Sequence, residues 1–247
     1  MDHLFTVNSL SDLRDVMPGS AHAAFALGHS RPGEGGGGLF HWNQALATPD
    51  NNGSVIASDD APGKPGRWTR VDSGPVDVRW FGAHVAADAT AAIQAALKSC
   101  THGGEVSIPA GAYPISQPLE VPQGVHVRGT GLFTELNYTG PKETGCFRVE
   151  GEPASVSLAI SRLNILVQTE GSYGVDLQGM SFSRFDHITV HLRKPNTRAF
   201  FGPGNTRSPY YNVFTACHAA GTADYKNNGC IAFDFTFDRG EQMQSAN

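Results

Sequence analysis

With 247 residues, the chain is long enough for one large domain, or for a small one followed by a larger one. Its 29 glycines, 15 prolines and 17% charged residues favour many turns and short strands over long amphipathic helices. A formal net charge of −5 gives no ground for nucleic-acid binding, and no apolar run approaches the ~20 residues that cross a membrane, so membrane insertion is not expected.

The first residues, "MDHLFTVNSL", lack the basic start and apolar core of a signal peptide. Ser9 is placed to cap a short helix through "SLSDLRDVM", with Asp12 in its first turn and Leu10, Leu13 and Met17 on one face. "AHAAFALGHS" reads as a strand. The glycine-rich "RPGEGGGGLFHWN" runs into strand-like Leu39, Phe40 and Trp42, so a hairpin turn is expected there and not a phosphate cradle. "SVIAS" and the run around Trp68 supply two more strands. Together these form a small mixed module over residues 1–75, closed by the linker "DSGP".

Residues 76–104 carry a short alanine-rich helix, "DATAAIQAALKSC". Asp88 or Thr90 is its N-cap; Ile93, Ala96, Leu97 and Cys100 recur at i, i+3, i+4 and i+7. A helix with a single apolar stripe must lie on an apolar surface. Residues 105–247 offer one. Val106 and Ile108, Tyr113 and Ile115, Leu119 and Val121, and Val125 and Val127 alternate in short runs punctuated by glycine and proline.

Farther on the chain repeats itself. "SRLNILV" (161–167) resembles "SRFDHITV" (183–190), and "YYNVFTACH" (210–218) falls where the next such strand is due. "GCFRVEG", "YGVDLQG", "RAFFGPG" and "GCIAFDF" recur between 145 and 235. Strand repeats of twenty-odd residues without helices point to a β-solenoid, with an antiparallel sandwich as the alternative. Cys100, Cys146, Cys217 and Cys230 show neither a C-x-x-C spacing nor a paired-histidine motif, and are expected to be reduced core residues.

"FGA", "TAAIQAAL", "GGEVSIPAGAYPIS" and "LEVPQGVHVRGTG" resemble the pectate-lyase superfamily of right-handed parallel β-helices, in the branch used by bacteriophage tailspikes and tail fibres. "GEGGGGLFHWN", "SVIASDD" and "GRWTRV" are similar to the segment that precedes the helix in such proteins. The resemblance covers most of the chain from about residue 25. It implies an all-β fold: a right-handed parallel β-helix with an N-terminal capping helix, behind a small attachment module that resembles a head-binding domain. The acidic stretch usual between "FGA" and "TAAI" is shortened here to "HVAADA". About five coils fit after residue 105, and the last needs cover from a partner, another subunit or a further segment.

In carbohydrate-active β-helices, carboxylates beside Arg or Lys on adjacent coils do the chemistry. Two carboxyls must flank a glycosidic bond across about 5–9.5 Å. Asp176, Asp186, Asp234 and Asp238 are the candidates, and Arg198, Arg207, Tyr210 and Tyr211 the expected polysaccharide contacts. The Asp-Asp and Gly-His-Gly motifs that polygalacturonase-like members carry in their catalytic coils are absent from residues 105–247. No metal site is expected, because His187 and His191 would lie about 13 Å apart on a strand. Ser183, Asp186 and His187 are not read as a triad, because strand neighbours point to opposite faces. No cofactor is implied.

The expected function is a virion adhesion component, homotrimeric, joined to other phage tail proteins and engaging host cell-surface polysaccharide. Its expected location is the virion tail or the extracellular space. A polysaccharide lyase or glycoside hydrolase is the first alternative, and a structural tail adaptor without activity the second.

Overall fold

The computed structural model describes residues 4–17, 21–60, 62–85, 87–100, 103–149, 156–202, 209–221 and 229–235. The first strand, β1 (Leu4–Val7), leads into helix α1 (Leu10–Arg14), then β2 (Ala23–Ala26), β3 (Gly38–Asn43), β4 (Val55–Ala57) and β5 (Arg67–Arg70). These strands form one sheet in the order β1-β2-β3-β5-β4, with β1 parallel to β2 and the rest antiparallel. Ser9 caps α1, its Oγ accepting from the Asp12 N–H at 3.1 Å. Leu10 and Leu13 pack against Ala24, Ala26, Phe40, Ile56 and Trp68. Met17 does not share that face. The helix stops at Arg14, where the Asp15 N–H turns back to the Asp12 and Leu13 carbonyls; Val16 is buried instead and Met17 is exposed.

The glycine-rich segment is the β2–β3 hairpin turn, and Gly36, Gly37 and Gly38 within it serve close approach. A Cβ on Gly36, which also holds φ +72, would stand 2.1 Å from the Arg79 carbonyl oxygen. The module is thereby seated against the segment around Arg79 and Trp80. Arg70 lies between the rings of Phe40 and Trp80, 4.6 Å from each, and donates to the Gly36 and Gly37 carbonyls at 2.7 Å. Burial pushes this guanidinium down to about 10, and the carbonyls and ring faces take the place of the lost water.

After the 72–75 linker, β6 (Val76–Asp77) and a short 3-10 turn (Val78–Phe81) lead to α2 (Thr90–Ser99). The remaining strands wind as coils of three. The first coil is β7 (Gly104–Ser107), β8 (Gly111–Ile115) and β9 (Leu119–Val121). The second is β10 (Val125–Arg128), β11 (Thr134–Tyr138) and β12 (Gly145–Val149). In the third and fourth, one bent strand does the work of two: β13 (Ala159–Val167) with β14 (Tyr173–Asp176), then β15 (Arg184–Leu192) with β16 (Arg198–Phe201). The fifth is β17 (Val213–Thr215), β18 (His218–Gly221) and β19 (Ile231–Asp234).

Every coil-to-coil pairing is parallel, so the described residues form a parallel β-helix of five coils and three faces. Sheet I contains β6, β7, β10, the start of β13, the start of β15, and β17. Sheet II contains β8, β11, the ends of β13 and β15, and β18; sheet III contains β9, β12, β14, β16 and β19. Inward residues stack in columns, such as Val106, Val127, Ile160, Phe185 and Phe214, or Leu119, Phe147, Val175, Phe200 and Phe233. The "SR" similarity misplaces the register. Ser161 pairs with Asp186 and not with Ser183, because Arg162 turns a corner whereas Arg184 begins its strand.

The N-terminal end of the β-helix is closed on all three sheets. On sheet I, β6 pairs with β7. On sheet II, the Ala89 N–H donates to the Pro114 carbonyl at 2.9 Å, and the Ser116 N–H to Thr90 Oγ1 at 2.8 Å. On sheet III, the Gln94 amide acts as a strand: Nε2 donates to the Glu120 carbonyl at 2.9 Å and Oε1 accepts from its N–H at 2.8 Å. Ile93, Ala96, Leu97 and Cys100 are all buried beneath this lid. Asp88 is not the cap residue itself; Ala89 is. The Asp88 carboxylate nevertheless accepts from the Thr90 N–H at 3.0 Å. Burial alone would raise that carboxyl, but hydrogen bonds from Ser116 and Thr90 outweigh it and hold its pKa below the usual value. At the other end the same inward columns finish on half-buried Phe214 and exposed Phe233. Cys100 and Cys146 are buried core residues as expected, whereas Cys217 and Cys230 are only half-buried, Cys230 Sγ donating to the Lys194 carbonyl at 3.3 Å.

Candidate functional site

The outer face of sheet I carries two adjoining clefts, of about 620 and 420 Å³, that share Arg128 and Arg162. Strand alternation makes this face. With Val106, Val127 and Phe185 inward, Glu105, Ser107, His126, Arg128, Arg184 and Asp186 point out. His126 bridges three strands, its Nδ1 lying 3.1 Å from Glu105 and its Nε2 2.8 Å from Ser161 Oγ. Arg128 reaches the same Glu105 at 3.6 Å.

Corners complete the site. Arg162 and His187, which stack on one another where sheet I bends into sheet II, both hold left-handed backbone, with φ 56 and 51. At such a residue the alternation fails, and His187 Nδ1 meets the Asp186 carboxylate at 2.9 Å on the same side of the chain. That corrects the expectation that these neighbours face apart. Ser183 is buried, accepting from the Leu158 N–H, so no triad forms. At the opposite corner Phe182 and Tyr211, with φ 54 and 51, stack at 5.0 Å and are exposed; Tyr210 beside them is also exposed.

Sheet III carries the rest of the expected set. The register runs from Asp176 to Phe201 to Asp234, so both carboxylates lie on one outer column, two strand steps or about 9.6 Å apart along the backbone. Arg198 Nε is bonded to Asp234, and its guanidinium lies 5.5 Å from the Tyr173 ring and 5.3 Å from that of Phe201. Asp176 accepts from the Gln178 N–H at 3.0 Å. The shallow cleft here, about 380 Å³, is lined by Lys142, Glu143, Glu170, Tyr173, Asn196 and Arg198. Asp186 therefore lies on a different face from Asp176 and Asp234, and Asp238 and Arg207 fall outside the described residues. On sheet I, Glu105 and Asp186 are separated by three strand steps, about 14 Å, too far to work across one glycosidic bond.

No group of three His, Cys, Asp or Glu side chains able to hold a metal occurs among the described residues. Glu105, His126, Arg128, Arg162 and Arg184 were not singled out by sequence reasoning. Their convergence depends on the pairing register of four strands; the one visible signal was a polar residue at each outward place of "EVSIP" and "VHVRG".

Comparison with known proteins bears on both halves. Residues 6–73 match the family described as phage tail protein small four-stranded β-sheet domain. No curated protein matches the chain. Among solved structures, the tailspike protein gp49 of Acinetobacter baumannii bacteriophage Fri1, described as a capsular polysaccharide depolymerase, superposes with a TM-score of 0.61 at 15% identity, over 94% of this chain and 52% of that one. The tailspike of Acinetobacter phage vB_ApiP_P1 gives 0.64 at 18% identity, over 92% and 40%. Pantoea stewartii WceF, described as a glycan biofilm modifying enzyme with a bacteriophage tailspike-like parallel β-helix fold, gives 0.55 at 16%, over 95% and 38%. The chain thus spans about half the length of these structures or less. The fold is accordingly a small β-sheet module, similar over residues 6–73 to a phage tail protein domain, followed by a parallel β-helix like that of these structures.

Proposed function

We propose that the protein is a bacteriophage tail component of the tailspike type. In this reading the 6–73 module joins it to other tail proteins, and the β-helix engages host cell-surface polysaccharide as part of a homotrimer. One juxtaposition carries the reading: a module matching a phage tail domain packs, through Arg70 and the Gly36 turn, onto a β-helix whose sheet I face is open, polar and rich in guanidinium groups. Phe182, Tyr210 and Tyr211 extend that face with aromatic surface of the kind that sugar rings stack on.

Depolymerase activity is the second reading, favoured by Asp186 and His187 in contact at the cleft. There His187 would act as general acid or base with Asp186 orienting it. Incubation with a panel of bacterial capsular and O-antigen polysaccharides tests both. Retention on a polysaccharide by a species of trimeric mass supports the adhesion reading, and new reducing or unsaturated ends that vanish in Asp186→Asn support the second. A monomer that binds no member overturns the adhesion reading and leaves the structural adaptor.

A further inference from the structure

The outer face of sheet I carries one guanidinium on each of three successive coils: Arg128 on β10, Arg162 on β13 and Arg184 on β15. These strands are neighbours, so each guanidinium stands about one strand step, ~4.8 Å, farther along the axis than the last. Two carboxylates share the face with these three arginines: Glu105, between His126 and Arg128, and Asp186, which lies beside His187 and lines the smaller cleft. Among the described residues Arg162 and Arg184 make no ion pair, although both line the smaller of the two clefts.

Arg162 adds a second observation. It occupies left-handed backbone, φ 56, where glycine would be least costly and where long side chains are uncommon. The corner swings its side chain into both clefts at once. The same left-handed backbone recurs at this corner on the next two coils, at His187 and Ala216, so the bend belongs to the fold; the choice of arginine at it sets a guanidinium at the junction of the two clefts, beside two more on adjacent coils.

We propose that this face binds a polyanionic polysaccharide, its carboxylate or phosphate groups seated on Arg162 and Arg184 with Arg128 as a third contact. The proposal rests on the polysaccharide reading above and adds the charge class of the ligand. Guanidinium forks match the geometry of carboxylates and phosphates, bonding them by paired N–H donors. The stacked Phe182 and Tyr211 pair precedes β15 and β17 at the edge of the same face, offering ring surface to the sugar between its charges. The chain as a whole is acidic, with net charge −5, so capture of a polyanion depends on this local face and weakens as salt screens it.

The test measures binding of the full chain to capsular polysaccharides grouped as uronate-bearing, phosphate-bearing and neutral. The expected result is binding within an anionic group, falling as sodium chloride rises from about 50 to about 500 mM. Arg162→Ala and Arg184→Ala should each weaken it about tenfold or more with an unchanged melting temperature, and Arg162→Lys should restore only part. Reducing the sugar carboxyls to alcohols distinguishes the sources: lost binding assigns carboxylates, retained binding assigns phosphates. Salt-insensitive binding, binding confined to neutral polymers, or full affinity in both variants overturns the proposal while leaving the polysaccharide reading in place. No binding to any group overturns both.

Discussion

On sheet III, Arg148 pairs with Glu120 directly across the strand boundary, and Arg198 is closed against Asp234 beneath the rings of Tyr173 and Phe201. On sheet I, arginines at comparable outward places face open clefts with two carboxylates among three of them. Both faces stand on the same stacked apolar columns and are made from the same residue types. They differ in what the pairing register sets beside each charge. An arginine facing a carboxylate on the next coil is already satisfied within the fold, whereas one facing Ala159 or a turn keeps its donors for a ligand.

The largest expected effect removes what the two faces share. Leu97→Asp buries an unpaired charge under the lid and should destabilise the protein by about 3–5 kcal/mol, erasing both faces together in a thermal melt. An unchanged melting temperature would show that α2 does not seal the columns. Gln94→Ala is more selective. It strips the Glu120 N–H and carbonyl of their partners, an expected cost of about 1–3 kcal/mol, and hydrogen exchange should quicken along β9 and β12 of sheet III before sheet I. Equal acceleration on both sheets would deny the separation.

Acid probes the same lid on sheet II. The folded Asp88 carboxyl lies below its ordinary value of 3.8, so its contribution is full at higher pH and is lost as pH falls through the folded value. The wild-type advantage over Asp88→Asn should therefore shrink below about pH 4, read as converging melting temperatures. A gap that stays constant down to about pH 2 would contradict this. The smallest effect belongs to Arg198→Ala, which removes a half-buried ion pair and should cost about 1 kcal/mol by denaturant titration while sparing any glycan affinity.

Much of the fold was legible in the residues. The alternation of Val106, Ile108, Tyr113, Ile115, Leu119 and Val121 showed which side faces inward, and the stripe of Ile93, Ala96 and Leu97 identified the lid. The recurrence of "GCFRV", "YGVD" and "RAFF" marked three strands of sheet III in their true register, whereas "GCIAFDF" is two residues out, because Ile231 and not Gly229 pairs with Arg198. The functional face was harder to read. It depends on side chains from strands distant in sequence, brought level by loops of unequal length. Its corners are held by Arg162, His187, Phe182 and Tyr211, residues whose positive φ no composition signal announces. Asp176 and Asp234 could be found as outward carboxylates, yet only the folded chain brings Arg198 onto one of them.

The most direct measurement sets the two faces against each other on one ligand. Affinity for a polyanionic capsular polysaccharide is compared between wild type, the double variant Arg162→Ala/Arg184→Ala, and Arg198→Ala. Binding reduced about a hundredfold or more by the sheet I pair and unchanged by Arg198→Ala is the predicted result. Full affinity in the double variant, or its loss in Arg198→Ala, would contradict the assignment of the site to sheet I.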